Sequence, residues 1–133
     1  MTTKHIRLLD ANLNRLVEGI RVVEDIFRYI FDDKTTSSKL KSLRHKARID
    51  IYDDLIKSRD IKNDVLKTST SSEQSRTSLH SILIANFKRA QESARVLEEF
   101  SKLISIKDSE NFKFIRYELY HLEKEILNTN KKA

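Results

Sequence analysis

Apolar residues recur at helical spacing from Ile6 to Phe31: Leu9, Leu13, Leu16, Ile20, Val23, Phe27 and Ile30 follow one another at steps of four and three. That period predicts one long amphipathic helix. The polar run "DDKTTSS" interrupts the pattern and offers several N-capping side chains. Leu40, Leu43, Ala47, Ile51 and Leu55 then restart it, which predicts a second helix running back along the first. Residues 57–78 hold no sustained period and are crowded with Ser, Thr, Asp and Asn; a segment of that length is either a functional loop or a linker. Leu79, Leu83, Ala90, Ala94, Leu97 and Ile104 predict a third helix, "KDSEN" a polar break, and Phe112, Ile115, Leu119, Leu122 and Ile126 a fourth. The closing "NTNKKA" reads as a frayed tail.

The third helix repeats the first. "ANLNRLVEGIRVVED" at 11–25 returns as "ANFKRAQESARVLEE" at 85–99, and aligning 11–30 on 85–104 gives eight identities in twenty positions. Chance would give about one or two. The helices that follow echo each other more faintly, "SLRHKARIDIY" against "FIRYELYHLEK". The predicted fold is therefore all-α: one domain over 1–133, built from a duplicated helical hairpin with pseudo-repeats at about 6–56 and 79–127. Two such hairpins pack as a four-helix bundle or a variant of one, with one long loop at 57–78.

Composition agrees, since the chain has one glycine, no proline and abundant helix formers. Absence of cysteine excludes disulfides, thiolate metal sites and a Cys nucleophile. No apolar run approaches the ~20 residues that cross a bilayer, and "MTTKHIRLLD" lacks the apolar core of a secretory signal; a cytoplasmic protein is expected. A net charge of +6 favours anions among small charged partners. The basic residues alternate with acids and aromatics are only 8 %, which argues against a nucleic-acid binder. One glycine cannot build a dinucleotide fingerprint or a phosphate-cradling loop. Any nucleotide would be held by side chains and helix termini. His5, His45, His80 and His121 show no metal-binding spacing.

On a helical wheel Asn12 and Arg15, with their counterparts Asn86 and Arg89, fall within or beside the apolar arc. An arginine there needs a partner, which is either a structural bridge between hairpins or a bound anion. Glu18, Arg21 and Asp25, with Glu92, Arg95 and Glu99, lie on the opposite side at steps that suit a solvated ion-paired face. Glu24 and Glu98 occupy the flank. His45 could hydrogen-bond a ligand or pack structurally, and Arg59 and Asp60 stand in the long loop.

The succession "LLDANLNRLVEGIRVVEDIFRYIFDD", "LKSLRH", "SRD…DV", "SEQSR" and "ANFKRAQESARVLEEFSKL" resembles the hydroxymethylpyrimidine phosphate kinase family. This is the helical domain that precedes the TIM-barrel thiamine-phosphate synthase in many bacteria and also occurs alone. The resemblance covers roughly residues 7–125 and departs at Leu66, where the family usually has Gly after "DV". It implies thiamine biosynthesis, with Mg²⁺ and ATP converting the pyrimidine monophosphate to its diphosphate. The acceptor is already anionic, so alignment and charge neutralisation are the main requirements. On that implication Arg15, Arg21, Arg89 and Arg95 would clamp phosphates, and Glu18, Glu24, Glu92 and Glu98 would serve Mg²⁺. Asn12, Asn86, His45, Arg59 and Asp60 would bind the substrate. A barrel needs about 200 residues or more, so synthase activity from this chain alone is not expected. The alternative is a non-catalytic partner of that synthase, binding pyrimidine phosphates; a homodimer is also expected.

Overall fold

The computed structural model describes residues 2–128, all-helical and without strands among them. Helix α1 spans Thr3–Asp25 and runs into one π-helical turn, Ile26–Ile30. Helix α2 spans Lys34–Lys46, α3 Tyr52–Ser58, the short α4 Ser71–Gln74, α5 Leu79–Ser101 and α6 Ile106–Asn128. Caps follow the predicted chemistry: Asp33 accepts from the Thr36 N–H at the start of α2, and Ser78 accepts from that of Ser81 at the start of α5.

The two repeated helices, α1 and α5, pack directly on each other and run antiparallel. Gly19 sits against Asn86 and Ala90 near the middle, while His5 near the start of α1 stacks near Phe100 at the end of α5. The glycine is required by that close approach. A Cβ at Gly19 would lie 3.2 Å from the Asn86 carbonyl oxygen and 3.3 Å from the Ala90 Cβ. Gly19→Val therefore forces the central pair apart, and we expect a loss of about 2 kcal/mol in urea unfolding. A variant as stable as the parent would show that the two helices separate without cost. Helices α2 and α6 cover α1 and α5, and one core joins all four through Leu16, Phe27, Leu40, Phe87, Phe112 and Leu119.

The structure departs from the sequence reading in four places. The second predicted helix breaks after Lys46, and the chain turns at 47–51 before α3. On a helix continued from Leu40, Ile49 would point away from the core; breaking there lets Ile49 bury instead. Ile30 and Ile104, read as apolar-arc residues, are exposed. For Ile30 the cause is the π turn, whose extra residue per turn rotates it outward and in which Phe31 N–H donates to Ile26 O at 3.2 Å. "KDSEN" is not a break but the first turns of α6; Ser105 supplies the start, accepting from the Asp108 N–H at 3.3 Å. The interval 57–78 holds the end of α3 and all of α4. Of the predicted tail, residues 129–133 lie outside the described residues.

Candidate functional site

The residues kept in step between the repeats divide by their contacts. Asn12 Nδ2 donates to Leu8 O at 3.0 Å, and Asn86 Nδ2 donates to Ile82 O at 2.9 Å. Each amide satisfies its own helix, the same in both halves. Glu24 and Glu98 are buried, not on an open flank. Glu24 takes a fork from Arg44, Nε at 2.7 Å and Nη2 at 3.2 Å. Glu98 accepts from Arg116 Nε at 3.0 Å and Nη2 at 2.9 Å. The wheel of a single helix sees only its seam with α5, whereas α2 packs on the adjoining flank and buries Glu24 there. The hydrogen bond to Glu24 holds the Arg44 guanidinium above its ordinary pKa. Burial works against the charge on Arg116, and hydrogen bonds to Glu98 and Tyr120 outweigh it.

Arg21 pairs with Asp25, and Arg95 with Glu98 and Glu99, along the helix surface. They match the solvated face expected for those spacings. Arg15, Glu18, Arg89 and Glu92 are all exposed, and none closes a hydrogen bond or ion pair among the described residues. The four carboxylates expected to serve Mg²⁺ are not brought together. Glu24 and Glu98 spend their oxygens on buried arginines, Glu18 and Glu92 line different hollows, and the described residues contain no group of three or more His, Asp or Glu able to hold a metal ion. These four carboxylates therefore form no shared ligand set among the described residues.

What the fold does bring together is a groove along α1. Its larger part, about 630 Å³, lies between α1, the 47–51 turn and α3, with His45, Arg48 and Tyr52 at its edges and Leu13, Val17, Ile49 and Leu55 in its wall. It continues into a hollow of about 430 Å³ under the segment after α3, reaching Arg15, Glu18, Asp60 and Asp64. Asp10, Asn14 and Arg59 border both parts. A third hollow of about 230 Å³ extends from Arg15 to Asn12, Arg89 and Glu92 over the α1/α5 seam. Of the predicted residues, His45, Arg59, Asp60, Arg15 and Glu18 line the groove, and Asn12, Arg89 and Glu92 line the seam hollow that meets it at Arg15. Asn86, Arg21, Arg95, Glu24 and Glu98 line neither.

An ion pair that the sequence reading missed ties the segment after α3 to α1 at the groove. Arg59 forks onto Asp10, Nε to Oδ2 and Nη2 to Oδ1, both at 2.8 Å, with Asp10 itself buried. The Asp10 hydrogen bond raises the Arg59 pKa, helped at longer range by Tyr52 and Glu18. Arg7 donates to the Asp60 carbonyl at 2.9 Å, and Asn63 caps the Asp60 carboxyl, whose pKa it lowers. The available signal was an acid at 10, flanked at helical spacing by Ile6, Leu9 and Leu13.

The second half does not repeat the residues that line this groove. The counterparts of Asp10, Asn14 and Val17 are Ile84, Lys88 and Gln91. There α6 runs on where α2 has stopped, and its Glu123 accepts from Lys88 at 3.3 Å and Gln91 at 2.9 Å. The stretch of α5 that α6 covers through Glu123 corresponds to the stretch of α1 that α2, ending at Lys46, leaves to the groove.

Comparison with known proteins now gives the chain its place. Residues 7–125 match the ThiD2 family model. The chain belongs to the ThiD2 family. It is 38 % identical over 124 residues to the thiamine-phosphate synthase of Synechocystis sp., covering 92 % of this chain and 36 % of that protein. The thiamine-phosphate synthase of Thermosynechococcus vestitus is 39 % identical over 118 residues, 88 % of this chain and 34 % of that one. That of Rhodopirellula baltica is 36 % identical over 126 residues, 91 % and 34 %. The chain spans about a third of the length of these curated relatives. No solved structure matches. The expectation of a phosphomethylpyrimidine kinase is corrected by these findings, because relatives across most of this ThiD2 chain carry the name thiamine-phosphate synthase, a transferase, and not that of a kinase. No helix among the described residues is long and apolar enough to cross a membrane.

Proposed function

We propose that this ThiD2 chain works in thiamine biosynthesis as the helical accessory unit of a thiamine-phosphate synthase, holding a pyrimidine phosphate in the α1/α3 groove. The observation that carries this is the groove at the Asp10–Arg59 pair. A heteroaromatic ring suits the Leu13, Val17, Ile49 and Leu55 wall beside Tyr52. His45 and Asn14 offer hydrogen bonds to its edge. The phosphate end fits the basic side of the groove, where Arg48 and Arg59 supply guanidinium groups. Holding the substrate there would present it to the synthase active site of a longer or separate polypeptide.

Titrating hydroxymethylpyrimidine phosphate into the purified chain and measuring heat and amide shifts tests the reading. Saturable binding is expected, with shifts centred on residues 45–60 and affinity at least tenfold weaker in His45→Ala together with Arg48→Ala. Absence of binding overturns the reading. So does accumulation of a pyrimidine diphosphate when Mg²⁺ and ATP are added to this chain alone.

A further inference from the structure

The repeated residues with no internal explanation are Arg15 and Arg89, and Glu18 and Glu92. Every other residue kept in step between the halves and bearing a charge has a partner: Arg21 and Arg95 pair along their helices, and Glu24 and Glu98 are buried against arginines. The four unpartnered charges stand on the outer side of the central helix pair. The antiparallel register fixed by Gly19 against Ala90 puts Arg15 across from Glu92 and Glu18 across from Arg89. Seen from outside, the four charges form a square in which the sign alternates at each corner.

An alternating square is complementary to itself. If a second copy faces it through a two-fold axis lying along the helices, each arginine meets the counterpart of the glutamate across the seam. If the axis lies across the helices, each arginine meets the counterpart of the glutamate on its own helix. Either way every charge meets its opposite, which is the condition for an isologous contact. The same stripe continues at helical spacing through Ala11 and Val22 on α1 and Ala85 and Val96 on α5. Small and apolar side chains therefore border the square, and Val22 is 38 % exposed in the single chain. A bound small anion would satisfy the two arginines and leave Glu18 and Glu92 repelling it, whereas a second copy satisfies all four.

We propose that the outer face of the α1/α5 pair is the interface of a homodimer, with Arg15, Glu18, Arg89 and Glu92 of one copy answering the same four residues of the other. The contact would bring a second copy to the Arg15 edge of the α1 groove.

The test is the mass of the full chain in solution by sedimentation equilibrium. The parent is expected at twice the 15.7 kDa of one chain. Arg15→Glu with Arg89→Glu makes the square uniformly acidic, and that variant should sediment as a monomer with unchanged helical circular dichroism. Glu18→Arg with Glu92→Arg makes it uniformly basic and should also be monomeric. Mixed together, the two variants should form a heterodimer. All four substitutions in one chain invert the square, keep its alternation and should restore the homodimer. A monomeric parent, a dimer that survives the acidic double variant, or two variants that fail to combine would each overturn the proposal.

Discussion

Replacing Glu24 by alanine is expected to cost about 3 kcal/mol of folding stability, and replacing Arg44 by alanine about 5 kcal/mol, the two ends of the range for breaking a buried ion pair. The Glu24 side chain is 1 % exposed and that of Arg44 15 %. Losing the glutamate strands a guanidinium that keeps some water and the nearby charge of Asp25. Losing the arginine strands a carboxylate with almost no solvent, so the second change is the more severe. The second hairpin should show the same pattern, softened: Glu98 also lies 3.5 Å from Arg95 Nη1, so Arg116→Ala leaves it a remaining counter-charge. Replacing both members, Glu24→Leu with Arg44→Met, should recover most of the loss, because the cost arises from the unpaired charge and not from the missing attraction. Urea unfolding monitored by circular dichroism decides the order. If Glu24→Ala lies within 1 kcal/mol of the parent, the pair is not the clasp between α1 and α2 described above.

That clasp also shows what a sequence of this kind discloses. The duplication was legible because backbone period and identity act together: the same arc of Leu16, Ile20, Val23 and Phe27 must be written wherever a helix of this shape packs. The pairing of Glu24 with Arg44, and of Glu98 with Arg116, was hidden although both partners fall in stretches that echo each other. A wheel assigns each residue to a face of its own helix, and cannot say which neighbouring helix covers the flank. The break after Lys46 was hidden for a related reason, since Ala47, Ile51 and Leu55 continue a helical period that the chain does not use as one helix. The groove follows from that break. Of its residues at 45–60, His45, Arg59 and Asp60 could be named from the sequence, but their convergence on α1 depends on a contact across 49 positions, between Asp10 and Arg59. Counting carboxylates along the chain likewise does not reveal that two of the four glutamates, Glu24 and Glu98, are committed to arginines.

The Asp10–Arg59 pair should behave asymmetrically, and the asymmetry separates structure from binding. Asp10 has a side chain 6 % exposed and Arg59 one that is 40 % exposed. Arg59→Ala leaves a buried carboxylate whose remaining neighbour, Asn14 Nδ2, is 3.4 Å away. We expect a cost of about 3 kcal/mol from that stranded charge. Asp10→Ala releases an arginine that can swing into water, and should cost about 1 kcal/mol. Ligand affinity should move the other way around. Freed from Asp10, Arg59 keeps its full charge at the phosphate end of the groove, so Asp10→Ala should bind hydroxymethylpyrimidine phosphate within about threefold of the parent or more tightly. Arg59→Ala, measured below its unfolding midpoint, should lose on the order of tenfold to a hundredfold, the equivalent of about 1.5–3 kcal/mol for one charge-assisted contact. Arg59→Lys restores a charge but not the fork, and should recover part of the stability and little of the affinity. Equal loss of binding in the two alanine variants would mean that the pair only fastens the segment after α3 to α1, and that the phosphate is held elsewhere.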